Sequence, residues 1–235
     1  VENRALRRAL LDRARALPSF TLHAPAEVTK IGRGRAGVAV GLAGGQRIEA
    51  QLLVAADGRN SRLRAEAGIA VTRWRYKQAA IACIARHERP HRNIAHERFF
   101  ASGPFAILPM RDDEKGRHRA SVVWTDRADA VPSFLALPEA EFNAELQHRF
   151  GDFLGRVELE GRPFAHPLSL LNAERLVAER LALVGDAAHA IHPVAGQGFN
   201  LGVRDAAALA EVLIEARALG LDLGAAEGLS DYQRW

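Results

Sequence analysis

Apolar residues recur at helical spacing over positions 1–17, and Pro18 follows them. At about 100° per residue, Leu6, Leu10 and Leu17 share one side of a helix, while arginines occupy the other side. The pattern predicts an amphipathic helix that ends before Pro18. A basic amphipathic helix can pack on its own protein's sheet or lie on anionic lipid, and the small number of large apolar residues favours packing on the sheet.

Short runs of residues that favour β-strands follow from position 20 to position 56. They predict strands at 20–23, 28–31, 38–41, 47–49 and 52–56. Residues 32–37 match G-x-G-x-x-G, but a strand follows where a dinucleotide-binding turn needs a helix, so we interpret them as a hairpin turn. The run 52–56 is continuously apolar, which predicts a strand buried on both faces in a parallel sheet.

Asp57 and Gly58 come directly after this apolar strand, and residues 62–67 are predicted to form a short helix. In open α/β sheets, ligands bind at the carboxyl ends of the strands. Asp57 is therefore expected to lie where it can meet a ligand.

The middle of the chain contains long β-rich stretches at 72–87, 96–101, 105–110 and 120–125, separated by Pro, Gly and charged clusters. This spacing predicts an antiparallel sheet. A helix is predicted over 139–150, because proline at position 138 is tolerated in a first turn. A further strand is predicted at 162–171.

Composition narrows the possible classes of protein. The chain has 235 residues, of which 48% are hydrophobic and 26% charged, which excludes collagen-like, fibrous and disordered proteins. The single cysteine, Cys83, excludes an internal disulfide framework, favours a reducing compartment and is predicted to be a buried, inert thiol. No apolar run approaches the length of a membrane-spanning helix, and the opening residues do not have the basic-then-apolar pattern of a signal peptide.

The net charge of +4 is the excess of 32 basic residues over 28 acidic ones, and all but three of the basic residues are arginine. The arginines are spread along the whole chain, so we interpret them as a compositional bias before any phosphate or membrane footprint. No nucleic-acid recognition motif accompanies them, so nucleic-acid binding is not expected.

The most informative segment spans residues 181–205. An apolar strand ends in Gly185-Asp186, a loop rich in Pro and Gly follows, and an Ala- and Leu-rich helix runs to about position 218. A carboxylate can accept hydrogen bonds from sugar-like hydroxyls. Glycines let backbone N–H groups approach a ring, and a helix N-terminus favours negative charge. The segment therefore suits a polyhydroxyl ligand with a planar, electron-accepting ring.

This segment closely resembles the Gly-Asp box and flavin-ring loop of the class A flavoprotein aromatic hydroxylases, the p-hydroxybenzoate hydroxylase family. It looks most like the ubiquinone-biosynthesis branch, with its 2-polyprenyl-6-methoxyphenol hydroxylases. Asp57-Gly58 resembles the second box of that family. The resemblance covers nearly the whole chain and implies a mixed α/β (α+β) fold, in which an incomplete FAD-binding Rossmann-like domain carries an inserted antiparallel β-sheet substrate domain. The implied domains are a partial FAD-binding domain at 1–71, the substrate domain at 72–171 and the rest of the FAD-binding domain at 172–235.

The resemblance also implies a set of FAD-binding residues, whereas the flavin itself carries the chemistry and no catalytic side chain is expected. Asp186 would hold the ribityl hydroxyls, Gly185 would permit its approach, and Asp57 would act near the pyrophosphate and in reduction by NAD(P)H. The implied cofactor-binding residues are Asp57, Gly58, Gly185, Asp186, Pro193, Gly196, Gln197, Gly198, Phe199 and Asn200.

The implied activity is hydroxylation of a lipid-tailed phenol by a monooxygenase that uses FAD, NAD(P)H and O₂. Such a substrate implies a cytoplasmic protein that meets the inner face of the membrane peripherally and works in a quinone-biosynthesis protein complex. The family begins with a strand, a G-x-G-x-x-G turn and a helix that this sequence does not contain. We therefore expect the parent protein to be the enzyme, and this chain alone to bind FAD poorly and to be inactive.

Three alternatives remain open from the residues. Asp186, His189 and His192 have a spacing that could ligate Zn²⁺ or Fe²⁺. The chain could also be a non-catalytic scaffold subunit of a quinone-biosynthesis assembly. Finally, the same flavin boxes occur in flavin-dependent reductases and halogenases.

Overall fold

The computed structural model describes residues 2–234, apart from the side chains of Ala195 and Ala226. The chain divides into two compact units, the first formed by residues 1–21 and 76–168 and the second by residues 22–75 and 169–235. The expected mixed α/β fold is confirmed. The predicted domain boundaries and the roles assigned to the domains stay predictions.

The helices and strands are, in chain order, α1 (Asn3–Arg15), β1 (Val28–Gly34), β2 (Gly37–Leu42), β3 (Arg47–Ala50), β4 (Leu53–Ala55), α2 (Arg62–Glu66), β5 (Val71–His87), β6 (His96–Phe100), β7 (Gly103–Pro109), β8 (His118–Arg127), α3 (Val131–Leu135), α4 (Glu139–Phe150), β9 (Val157–Ala173), β10 (Val177–Ala178), β11 (Leu181–Leu183), β12 (His189–Ala190), α5 (Gly198–Ala218) and α6 (Ala226–Arg234).

The first unit is built on the predicted antiparallel sheet, with strand order β9-β5-β8-β7-β6. Alternate residues along β5, β7 and β8 are buried, as expected for a sheet with one covered face. That face packs against α3 and α4, and Trp124 lies fully buried between Phe134 and Phe142. Cys83 is part of this core, so the prediction of a buried thiol is confirmed.

In the second unit, β1, β2 and β3 form a three-stranded antiparallel sheet. Gly34 pairs with Gly37 across a two-residue turn, which confirms that the G-x-G-x-x-G string at 32–37 belongs to a hairpin. A second sheet has the order β10-β11-β4, and its strands β11 and β4 are parallel.

Strand β11 is buried on both faces. Leu181 and Leu183 pack with Ile69 and Ala187, whereas Ala182 faces α5 and α6. The same burial was expected for residues 52–56, and this prediction is wrong for Val54, which is 41% exposed. A continuous apolar run cannot show which of its residues meet a covering layer.

Two other local predictions are wrong. Residues 20–23 form no strand, because no neighbouring strand among the described residues offers them a hydrogen-bonding partner. The predicted helix is present as α1, but none of its described residues is buried, so the expected packing on a sheet is not found.

Candidate functional site

Two parallel strands of the second unit bring the two predicted boxes to one edge of a sheet. Leu53 of β4 pairs with Leu181 of β11, and Ala55 pairs with Leu183. Beyond the strands, the Val184 N–H donates to the Ala55 carbonyl over 3.0 Å. Asp57-Gly58 and Gly185-Asp186 therefore leave neighbouring strands at their carboxyl ends, where open α/β sheets bind ligands.

A close approach between two glycines sets helix α5 against the turn that follows β11. Gly185 has a φ of +59°, a conformation that favours glycine. A Cβ added to Gly202 of α5 would lie 3.2 Å from the Gly185 Cα, so a larger residue would push the helix away. Both glycines are thus required by geometry that the sequence alone did not show.

Asp205 of α5 joins the helix to the same turn through its carboxylate. The Gly185 N–H donates to Asp205 Oδ2 over 2.7 Å, and His189 Nε2 lies 2.8 Å from the same oxygen. The Asp205 and His189 side chains are both largely buried. The Tyr232 hydroxyl donates to the Leu183 carbonyl over 2.6 Å. Burial raises the pKa of Tyr232, and the charge of Asp205 adds a smaller effect in the same direction.

Asp57 begins a turn that is held by a short helix. Its Oδ2 accepts the Leu63 N–H over 3.3 Å, and Ser61 Oγ accepts the Arg64 N–H over 3.0 Å at the start of α2. Gly58 has a φ of +83°, which glycine adopts without strain. The Asp57 side chain remains exposed beside these contacts.

Arg64 connects the two boxes across the sheet edge. Its side chain is only 3% exposed, and it donates to the Ala187 carbonyl over 2.6 Å and to the Arg59 carbonyl over 3.0 Å. Burial lowers the pKa of the guanidinium, and Arg73 adds to this effect, whereas Asp57 opposes it. Arg64 therefore acts as a buried strut between the Asp57 turn and the Asp186 turn.

The loop before α5 presents backbone to open space. Gly196 is in the left-handed region with a φ of +61°. No atom from elsewhere in the described chain lies within 4 Å of the Cβ position that Gly196 or Gly198 would carry. Among the described residues, no side chain caps the start of α5 after Gln197, so the N–H groups of its first turn have no side-chain acceptor there.

The remaining predicted side chains of this loop are accessible. Gln197 Oε1 accepts from Asn200 Nδ2 over 3.1 Å, Pro193 begins a short 3-10 turn, and Phe199 is 60% exposed. Exposed aromatic and amide groups beside an uncapped helix N-terminus suit a flat ligand that carries negative charge.

Asp186 lies in a short 3-10 turn with its side chain exposed. Within residues 2–234, no hydrogen bond or ion pair to its carboxylate is found. A free carboxylate at a strand end, next to uncapped N–H groups and glycines that face open space, is the donor and acceptor set that a flavin with a ribityl chain requires. The residues present therefore fit the flavin ring and the ribityl chain of FAD.

The alternative metal site is not supported by the geometry. His189 faces Asp205, and His192 accepts the Val194 N–H over 3.1 Å through its own Nδ1. Among the described residues, no group of three or more His, Cys, Asp or Glu side chains is arranged to hold a metal ion. Asp186, His189 and His192 thus have different surroundings despite their regular spacing.

Sequence reasoning missed Asp205 and Arg64 as parts of this site. Asp205 follows Gly202 by three residues, so both lie on one face of α5, and an acid on that otherwise apolar face was a usable signal. Arg64 carried no comparable signal, because it is one of many arginines and its burial depends on Ala187 far along the chain.

The chain matches a family of flavin-binding domains and is similar to two hydroxylases. The family described as "FAD binding domain" matches residues 2–221. The ubiquinone hydroxylase UbiL of Rhodospirillum rubrum is 52% identical over 233 residues, which cover 99% of this chain and 53% of that protein. The 3-demethoxyubiquinol 3-hydroxylase of Escherichia coli is 37% identical over 233 residues, covering 99% of this chain and 58% of that protein.

Among solved structures, PqsL of Pseudomonas aeruginosa is similar with a TM-score of 0.81 and 24% identity, covering 98% of this chain and 63% of that one. This likeness concerns the fold. The chain spans about half the length of the curated relatives it matches.

Proposed function

Because this chain belongs to the FAD-binding domain family, we propose that its parent protein is an FAD-dependent monooxygenase of ubiquinone biosynthesis. The enzyme hydroxylates the aromatic ring of a polyprenylated phenol, with NAD(P)H as reductant and O₂ as oxidant. Support comes from the 52% identity to a ubiquinone hydroxylase and the 37% identity to a 3-demethoxyubiquinol 3-hydroxylase.

One structural observation carries the proposal. The parallel pair of β4 and β11 ends in two adjacent acidic turns, and α5 starts from a loop whose glycines face open space. A hydrolase or a metal enzyme would require a nucleophile with a base or a cluster of ligands. This edge offers acceptors for hydroxyl groups and N–H donors for a flat anionic ring instead.

Each predicted residue has a proposed role. Asp186 accepts hydrogen bonds from the ribityl hydroxyls, and Gly185 allows the chain to turn toward them. Asp57 and Gly58 act near the pyrophosphate and during reduction by NAD(P)H. The residues that line the flavin ring are Pro193, Gly196, Gln197, Gly198, Phe199 and Asn200.

The chain's own groups would act on FAD by position and charge. Bound FAD supplies the redox chemistry that activates O₂ toward an electron-rich ring. The first N–H groups of α5, with roughly half a positive charge from the helix dipole, stabilise negative charge on the pyrimidine edge of the ring. The exposed Phe199 side chain would lie beside the flavin ring and shield it from water. Asp186 holds the ribityl chain, so that the ring keeps one orientation.

The two parts of the chain have different proposed roles. Residues 72–171 bind the phenol, whereas 1–71 and 172–235 bind the cofactor. The outer positions of the first unit's sheet support this division, because Ala82, Val123 and Ala106 are neighbours across three strands and offer an aliphatic surface.

The substrate class suggests where the protein works. A lipid-tailed phenol partitions into the bilayer, so we place the enzyme in the cytoplasm, in peripheral contact with the inner face of the membrane and within a quinone-biosynthesis complex. Among residues 2–234, no helix combines the length and apolarity needed to cross a bilayer.

The test uses the polypeptide encoded by the complete reading frame. We expect a purified protein with the visible spectrum of bound FAD, which oxidises NAD(P)H and consumes O₂ when a polyprenylphenol is added. Mass spectrometry should show that the phenol gains one oxygen atom. A halogenated product, or NAD(P)H oxidation without a modified phenol, would reject the proposed reaction while leaving FAD binding intact.

A further inference from the structure

The Asp205 carboxylate contacts the chain on both sides of Asp186. It accepts the Gly185 N–H, one residue before Asp186, and it pairs with His189, three residues after it. Asp205 itself belongs to α5, the helix whose first turn follows Gln197. The largely buried Asp205 carboxylate thereby joins the segment that carries Asp186 to α5, whose first turn has no side-chain cap among the described residues.

We propose that Asp205 is a positioning residue, which holds Asp186 and the N-terminus of α5 in a single geometry so that both can contact the same flavin. This inference rests on the proposed function. Asp205 does not belong to the set that would touch the cofactor, so it would act through Gly185 and His189.

The local backbone explains why such a connection is needed. Gly185 and Gly196 both have positive φ values and lie on either side of the connecting segment. Glycines cost more conformational entropy to order than other residues, so this segment needs a restraint from outside. The close approach of Gly202 to Gly185 restrains the separation of the helix and the turn, whereas the two polar contacts of Asp205 also restrain the rotation of the turn.

The hydrogen-bond partners of Asp205 favour a structural role for its carboxylate. A buried carboxylate is stable only when it is paired and hydrogen-bonded. Asp205 meets this condition with one backbone donor and one imidazole. Loss of the carboxylate would leave the Gly185 N–H without this acceptor, and an unpaired buried donor is destabilising.

The experiment compares two flavins on the polypeptide encoded by the complete reading frame. Riboflavin has the ring and the ribityl chain, whereas lumiflavin has the same ring with a methyl group in place of that chain. The ratio of their dissociation constants therefore measures the ribityl contact alone. We expect Asp205→Ala to reduce the preference for riboflavin by roughly tenfold, because Asp186 no longer sits in register with the helix.

Matched variants separate positioning from general damage. Glu211→Ala removes an exposed carboxylate from the same helix, and we expect it to leave the ratio unchanged. Asp205→Asn keeps one oxygen for the Gly185 N–H, so we expect it to restore part of the preference. A variant that merely unfolds would weaken both flavins equally and would lose its circular dichroism signal.

A second measurement needs no flavin. Hydrogen exchange at the Gly185 amide should become roughly tenfold faster in Asp205→Ala, while the Val184 amide, which bonds to Ala55, should keep its protection. Flavin binding with an unchanged ratio and an unchanged Gly185 exchange rate would overturn the inference alone. A wild-type protein that binds none of riboflavin, lumiflavin and FAD would overturn the proposed function, whatever the exchange data show.

Discussion

Two carboxylates with little exposure, Asp126 in the first unit and Asp205 in the second, have similar partners and different consequences. Asp126 of the first unit accepts the Trp124 indole N–H and pairs with Arg149, whose guanidinium lies 4.4 Å from the Trp124 ring centroid. Asp205 of the second unit accepts the Gly185 N–H and pairs with His189. Both satisfy the requirement that a buried charge be paired.

The difference lies in what the partners do next. Of the partners of Asp126, Trp124 belongs to the aromatic core, and Arg149 of α4 lies over the rings of Trp124 and Phe134, so this network leads to packed side chains. The partners of Asp205 belong to a turn whose next side chain, Asp186, is exposed and unpaired within the described residues. A paired acid in the interior is therefore evidence about function only when its hydrogen-bond network leads to polar groups that are exposed and have no partner in the described structure.

The largest expected effect concerns the core of the first unit. Trp124→Ala should lower the free energy of unfolding by about 3–5 kcal/mol, because it removes a fully buried ring and leaves a cavity. Chemical denaturation monitored by circular dichroism measures this change. The control is Trp74→Ala, since Trp74 is 64% exposed and should change stability little. Equal losses in both variants would contradict the division between core and surface.

The next effect concerns the strut between the two boxes. Arg64→Met should lower the free energy of unfolding by about 1–3 kcal/mol, because the Ala187 carbonyl loses its donor in a buried place. It should also weaken flavin binding, since Ala187 directly follows Asp186. Arg62→Met on the same helix removes an exposed pair with Glu66 and serves as control. If both variants behaved alike, Arg64 would be an ordinary surface cation.

A variant of Asp186 should separate function from stability. Asp186→Ala should change the free energy of unfolding by no more than about 0.5 kcal/mol, because the carboxylate is exposed and has no partner in the described chain. Its affinity for riboflavin should fall by roughly tenfold, since a charged acceptor for the hydroxyls is lost. Asp186→Asn keeps one acceptor oxygen and should fall less. Unfolding titrations and fluorescence quenching measure the two quantities, and a loss of stability without a loss of affinity would reject the proposed role.

The smallest expected effect concerns Cys83 in the core of the first unit. Burial raises the pKa of its thiol from 9.0 to about 12, so the thiol should not react with a thiolate-specific reagent at neutral pH until the protein unfolds. The thiol stays protonated to a higher pH in the folded state than in the unfolded state. The free energy of unfolding should therefore fall as the pH rises from 9.0 to about 12. Cys83→Ala should flatten this slope. Rapid labelling of the native protein would show that the core opens more readily than its packing implies.

Much of the local structure could be predicted from the sequence. The helix at α5, the antiparallel strands from β5 to β8 and the hairpin at residues 32–37 follow from periodicity and from turn chemistry, which act over a few neighbouring residues. The strand predicted at 20–23 does not form, because a strand needs a neighbouring strand to share its hydrogen bonds, and local sequence does not show whether one is present.

The sequence by itself therefore determined where the chain offers an acid after a strand, as at Asp57 and Asp186, and where a glycine-rich loop enters a helix. Only the tertiary structure decided that β4 and β11 are neighbours and that Arg64 and Asp205 connect their turns. The physical reason is distance along the chain, because only folding brings Arg64 and Ala187 together. A buried polar group stabilises the structure only when its hydrogen-bond partners are in place, and these partners are set by the fold.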